Sequence, residues 1–234
     1  MIVMPSNATG WFWHCLSRET GKIGHLYSPG GYLRRPIPWF RYALDNGAFA
    51  CWNQKENTFN DSAWDAVEKE WEKMLRHFST ATQRPLWAIV PDVPGNAEAT
   101  IERFRKYVRL LQELGIPIAF AVQDGMTLHS LKELPVQPEV VCVGGTDVFK
   151  WGSVRMWAKH FPRVHVLRCN SPEKLYLLEE LGVESCDGTG WNRGDKTQTM
   201  GLEEWARRNP QPITEMLTPY TCRQARPRQQ EWAF

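Results

Sequence analysis

Carboxylates and amides placed immediately after short apolar runs carry the chemistry of this chain. RYALDNGAF brings Asp45 to the end of one run, and LWAIVPDVPG brings Asp92 to the end of another. IPIAFAVQDG ends at Gln123, VVCVGG at Gly144 and Gly145, and VESCDGTG at Asp187. Two such carboxylates can divide nucleophilic from acid/base work, as in retaining glycosyl transfer. Asp92 and Gln123 together supply the acceptors and donors that the edge of a purine-like ring requires. Backbone N–H groups at Gly144 and Gly145 can donate to a carbonyl oxygen, because glycine lets a ligand approach the main chain closely. Phe49, four residues after Asp45, offers a ring on which such a base can stack. Each signature alone has a plainer reading: Asp-Asn-Gly is a good turn, and an Asp after a strand often caps the next helix. Five signatures in the same topological place argue for one site.

The elements that must position these groups follow from the same pattern. The runs are β-branched or aromatic, too short for helices, and stopped by Gly, Pro, Asn or Asp. Amphipathic stretches of helical period lie between most of them. That alternation predicts an α/β fold of parallel strands joined by helices, with the polar groups gathered at the mouth of a (β/α)8, TIM-like barrel. A doubly wound open sheet is the alternative. A helix is expected over 62–78, with Trp64, Val67, Trp71, Met74 and Phe78 on one face. Asn96 is the expected N-cap of the next helix and Gly115 its close, followed by a strand over 116–122. Shorter helices are expected over 128–134 and 151–161, before strands at 140–143 and 164–167. Ser171-Pro172-Glu173 reads as N-cap, N1 proline and first-turn acid, and Gly182 ends that helix before the strand that delivers Asp187. A last helix is expected over 202–208. Residues 1–234 read as one domain. Within the irregular N-terminal segment 1–38 an opening strand is expected around Ile2 to Met4, and the remainder must supply an eighth strand; 210–234 are a tail rich in Arg, Pro and Gln.

Composition narrows the function classes. A charged fraction of 23% and a hydrophobic fraction of 42% are those of an ordinary soluble protein, and a net charge of +2 does not by itself indicate nucleic acid. Arg34, Arg35 and Arg41, and Arg207, Arg208, Arg223, Arg226 and Arg228, form clusters that read either as solvated faces or as phosphate contacts. Of the 12 tryptophans, Trp64, Trp71 and Trp157 fall on helix faces and read as core. Trp11, Trp13, Trp39, Trp52 and Trp191 fall in predicted loops, where they either stack on bases or cover the bottom of the barrel. The six cysteines form no C-x-x-C pair. Cys142, Cys169 and Cys186 read as small buried residues rather than as metal ligands converging with His165. MIVMPSNATG lacks the features of a signal peptide and no stretch has membrane-spanning length, so a reduced, cytoplasmic setting without a cofactor is expected.

The ordered set Asp45-Asn46-Gly47-Ala48-Phe49, Pro91-Asp92, Val122-Gln123-Asp124-Gly125, Val143-Gly144-Gly145 and Cys186-Asp187 resembles the guanine transglycosylase superfamily. It is closest in kind to the compact bacterial and phage branch that inserts 7-deazaguanines into DNA (the DpdA type). The resemblance covers roughly residues 40 to 195. It implies that Asp187 is the nucleophile forming a covalent sugar–aspartate intermediate and that Asp45 is the general acid/base. It further implies that Asp92, Gln123 and the Gly144-Gly145 amides read the base edge while Phe49 stacks on it. DNA and a free 7-deazaguanine base, such as 7-cyano-7-deazaguanine, would then be the substrates. Ala48 and Asp124 stand where that family has glycine. The late cysteine motif and distant histidine that bind structural zinc in the tRNA-acting enzymes are missing, since only Cys222 follows Asp187 and no His follows it. That departure favours DNA over tRNA. Base exchange on tRNA, a nucleoside or glycoside hydrolase, and a nucleic-acid-binding module on an inactive barrel are the competing expectations.

Overall fold

The computed structural model describes residues 1–7, 10–53, 55–56, 58–193 and 196–210. In chain order the elements are β1 (Ile2–Met4), α1 (Trp11–Thr20), β2 (His25–Tyr27), β3 (Tyr42–Leu44), a 3-10 turn (Ala48–Cys51), β4 (Trp52–Asn53), β5 (Thr58–Phe59), α2 (Asp61–Ser79), β6 (Ala88–Ile89) and α3 (Ala97–Leu114). There follow β7 (Ile118–Val122), α4 (Leu128–Lys132), β8 (Val140–Val143), α5 (Asp147–His160), β9 (Val164–Val166), α6 (Pro172–Glu180), β10 (Ser185–Asp187), α7 (Gly190–Arg193) and α8 (Lys196–Arg208). Eight strands make one sheet in the order β1-β10-β9-β8-β7-β6-β3-β2, and every pairing in it is parallel. The two edges meet: Val3 bridges Ile23 and Ser6 bridges Leu26, with Val3 N–H donating to Lys22 O at 2.8 Å and Gly24 N–H to Val3 O at 2.8 Å. The result is a nearly closed, all-parallel barrel flanked by helices, consistent with a TIM-like barrel. β4 and β5 form a separate antiparallel hairpin between β3 and α2.

Alternation along each strand sorts the core into two layers. Ile2, Met4, Leu26, Ala43, Trp87, Ile89, Ala119, Ala121, Val140 and Cys142 fill the barrel interior. Their neighbours in sequence, such as Val3, Leu44, Phe120, Val141 and Val166, point outward and pack with the helices in a second cluster. This is the period-2 arrangement a barrel strand needs when both faces are covered. Bulk is uneven inside, with fully enclosed Trp87 set among alanines and valines.

The helices begin and end as their sequences dictate. Asn60 accepts from Ala63 N–H at 3.0 Å to cap α2, and Asn96 accepts from Ala99 N–H at 3.0 Å to cap α3. α2 buries Trp64, Trp71, Met74, Leu75 and Phe78 along one face. Gly115 closes α3 with φ +60°, a conformation costly for residues with a Cβ. Ser171 departs from its expected role: its hydroxyl meets the Glu173 carboxylate and caps no backbone amide.

The irregular reading of residues 1–38 needs correction. It contains α1 and the expected eighth strand, β2. Trp11 and Trp13 therefore lie on a helix rather than in a loop, Trp191 lies in α7 and Trp52 in β4. Gly and Pro punctuation obscured α1, whose N-cap Gly10 makes no side-chain bond. The β2–β3 connection does lack a helix, and buries Trp39 and Phe40 in its place. Cys142, Cys169 and Cys186 are buried thiols, and among the described residues no disulfide forms and no cluster of His, Cys, Asp and Glu is arranged to hold a metal. Among the described residues no helix is long and apolar enough to cross a membrane. The tail arginines and Cys222 lie outside the described residues.

Candidate active site

Parallel strands deliver their following residues to one end of the barrel, and a cavity of about 860 Å³ opens there. Asp45 after β3, Asp92 after β6, Gln123 after β7, Gly144 and Gly145 after β8, and Asp187 at the end of β10 all line it, together with Phe49. The expected residues are thus brought to one mouth.

Asp187 is held through one carboxylate oxygen. Its Oδ1 accepts from the Arg168 N–H at 3.0 Å and lies 3.2 Å from His165 Nε2, while its main-chain oxygen accepts from Cys169 N–H at 2.7 Å. No hydrogen bond reaches Oδ2 from the described residues, so one oxygen of this cavity-lining carboxylate is tied down and the other is left without a protein donor among them. Asp45 has the opposite surroundings. Ser28 Oγ donates to its Oδ2 at 3.1 Å and the Asn46 N–H to its Oδ1 at 2.9 Å. Burial, followed by the charges of Asp187 and Asp92, nevertheless pushes its carboxyl up to about 7, against the opposing pull of Ser28 and the Gly47 amide. One carboxylate is directed and the other holds a proton near neutrality, which is the division that acid/base-assisted displacement needs.

Asp92 and Gln123 form a connected pair on the cavity wall. Gln123 Nε2 donates to Asp92 Oδ2 at 2.6 Å, Asn46 Nδ2 donates to Asp92 Oδ1 at 2.8 Å, and Gln123 Oε1 accepts from Gly95 N–H at 3.0 Å. Both side chains are more than nine-tenths buried, and burial raises the Asp92 carboxyl above its usual range. The network fixes the Gln123 carboxamide: Oε1 points toward Gly95, leaving one Nε2 hydrogen and the outer lone pairs of Asp92 for a ligand.

The glycine pair requires a correction. Gly144 N–H already donates to Val122 O at 3.0 Å, so of the two amides only Gly145 keeps a free donor among the described residues. Gly145 has φ +73°, and a Cβ there would lie 2.4 Å from Asp124 Oδ2 and 2.9 Å from the Phe149 ring. Asp124, which stands where the resembled family has glycine, fastens the next peptide: its Oδ2 accepts from Thr146 N–H at 2.7 Å. Gly145→Ala is therefore expected to destabilise the protein by about 1–3 kcal/mol, as forced left-handed strain does, with a lowered urea midpoint at unchanged m-value.

Against models of known protein families the chain finds no match, and it matches no curated protein. The site must be read from its own geometry.

Arg168 was not anticipated from the sequence, yet it touches more of the site than any expected residue. Its φ is +56°, rare for a residue with a long side chain. Its N–H holds Asp187, its guanidinium donates to the Gly145 carbonyl and lies 5.0 Å from the centre of the Phe49 ring, and its carbonyl accepts from buried Lys150 Nζ at 3.4 Å. Phe49 is 48% exposed at the rim, with Trp52 edge-on at 5.5 Å and Arg168 over one face. The available signal was position: Arg168 follows the β9 run VHVL as Asp92 and Gln123 follow theirs. Of the clustered arginines, which read either as solvated faces or as phosphate contacts, Arg41 and Arg207 make contacts within the protein. Arg41 precedes β3, at the opposite end of the barrel, and donates to Gly21 O at 2.7 Å; Arg207 pairs with Glu19 at 2.6 Å and Glu203 at 2.8 Å.

Proposed function

We propose that this protein exchanges guanine in DNA for a 7-deazaguanine base through a covalent sugar–aspartate intermediate. The observation that carries the reading is the pairing of unlike carboxylates at one mouth: Asp187, held through Oδ1 while Oδ2 has no donor among the described residues, and Asp45, whose carboxyl is raised to about 7. The resemblance of the ordered motifs supplies the substrate class, DNA with a free 7-deazaguanine base.

In the first displacement, Asp187 Oδ2 attacks the anomeric carbon of the target nucleotide, the bond from that carbon to the base nitrogen breaks, and the departing guanine takes the Asp45 proton. In the second, the incoming base gives its ring N–H proton to the Asp45 carboxylate and its nitrogen attacks the same carbon, expelling Asp187. Two inversions leave the sugar with its original configuration. Asp92, the free Nε2 hydrogen of Gln123 and the Gly145 N–H offer acceptors and donors for a guanine-like edge. Phe49 and Trp52 provide aromatic surface at the rim. The cavity lies within the ~300–1,000 Å³ typical of small-molecule sites. A guanine in duplex DNA must leave the stack to reach it, at a cost of about a few kcal/mol.

The test is exchange of radiolabelled guanine or 7-deazaguanine into DNA and tRNA in parallel, with Asp187→Ala as control. Incorporation into DNA that disappears in the variant is expected. Incorporation into tRNA alone would move the substrate to RNA. Release of free guanine with no incorporation would make the protein a hydrolase, and no reaction with either nucleic acid would overturn the proposal.

A further inference from the structure

Directly beneath Asp187 lies an imidazole that the proposed displacements leave unused. His165, at the centre of β9, is fully enclosed inside the barrel, in register with Ser185 on one side and Cys142 on the other. Trp87 packs against it with ring centres 4.7 Å apart. Its two nitrogens have different partners: Nδ1 is 2.8 Å from Ser185 Oγ, and Nε2 is 3.2 Å from Asp187 Oδ1.

The chemistry of the partners fixes the protons. An ionised carboxylate only accepts, so the nitrogen facing Asp187 must carry hydrogen. A neutral imidazole then presents a bare Nδ1, and the Ser185 hydroxyl can turn its hydrogen toward it. Ser185 O–H to Nδ1, then Nε2–H to Oδ1, satisfies every group without enclosing a cation beside Trp87. Arg168 N–H reaches the same Oδ1 at 3.0 Å. Two donors therefore converge on one oxygen of Asp187 and none of the described residues reaches the other.

We propose that His165, locked by Ser185 as the Nε2–H tautomer, is a positioning residue that saturates Asp187 Oδ1 and so makes Oδ2 the attacking atom. The role assigned to Asp187 rests on the proposed function; the tautomer and the hydrogen bond do not. Nothing in this relay depends on the base exchanged. It acts on the direction of the carboxylate, so it alters the chemical step and leaves substrate binding largely untouched.

Two measurements on the full chain test this. Nitrogen-15 NMR of the imidazole side chains, with His165→Gln used to assign the resonance, should show His165 with protonated Nε2 and bare Nδ1 at neutral pH. Single-turnover exchange should show kcat reduced about 10- to 100-fold in His165→Leu, the loss expected for one hydrogen bond to a charged group, with KM within about threefold of wild type. His165→Gln, whose carboxamide nitrogen can occupy the position of Nε2, should recover most of that loss, and Ser185→Ala should fall between the two. An Nδ1–H tautomer or an imidazolium would overturn the proposal. So would a folded His165→Leu variant of undiminished kcat, or a His165→Gln variant no better than it. If His165→Leu fails to fold, Ser185→Ala and the NMR measurement decide. If wild type exchanges no base, the functional reading fails, and the tautomer alone judges the relay.

Discussion

Asp187→Asn is expected to lower base exchange by about 10⁴-fold or more, the scale on which removal of a covalent nucleophile acts. The substitution keeps the shape of the side chain and can still accept from Arg168 N–H at its Oδ1 position, so the fold should persist. A neutral carboxamide has no charge with which to attack the anomeric carbon. Denaturing gels of enzyme incubated with DNA in the absence of incoming base should show a shifted covalent species for wild type and none for Asp187→Asn. An adduct that survives in this variant and disappears in Asp45→Asn would exchange the roles of the two carboxylates.

Asp45→Asn should show two effects with opposite sign. Exchange should fall by about 10²–10⁴-fold, because the departing base loses its acid and the arriving base its acceptor. Stability at alkaline pH should rise. The carboxyl of Asp45 is raised to about 7 by burial and by Asp187 and Asp92, so the folded protein binds that proton more tightly than the unfolded chain does. The folded state is thus unpenalised below the unfolded value of about 4, loses stability as pH climbs from there through about 7, and carries the full penalty above. Asn cannot ionise and removes it. At pH 8 the variant should be more stable by roughly 2–4 kcal/mol at most, less whatever water in the open mouth screens, and at pH 4 the two proteins should melt alike. Urea titrations across that range measure the difference. In wild type the same group predicts an exchange rate that declines above about pH 7, as the protonated acid is titrated away; the variant should lack that limb.

The sequence made some parts of this molecule plain and hid others, for physical reasons. Long amphipathic helices such as α2 and α3 announced themselves through apolar spacing, and α3 also through its Asn96 cap, since both signals are local. The mouth residues were legible because parallel strands deliver whatever follows them to the same end, so position after an apolar run stands in for position in space. α1 was missed because its cap makes no side-chain bond and its mean composition is barely apolar. Gly144 illustrates a different limit: a glycine beside a ligand site suggests a free amide, but only coordinates reveal that Val122 already accepts from it. Arg168 showed only its place after the β9 run, and its positive φ leaves no trace in composition. His165 lay in view, between two valines of a strand, and alternation alone placed it inward; its partners Ser185 and Asp187 belong to the next strand and are joined to it only by register.

The pairing of β1 with β10 places Met4 in register with Asp187, so strands from distant parts of the sequence meet at the candidate nucleophile. Until that pairing forms, Asp187 has no fixed wall on one side, and β9, with its histidine, supplies the other. The Asp92–Gln123 pair, by contrast, is built from the neighbouring strands β6 and β7. Under the proposed function, the direction of the nucleophile therefore depends on the most non-local strand pairing of the barrel. The closure that completes the barrel is thus also the closure that sets the wall beside Asp187.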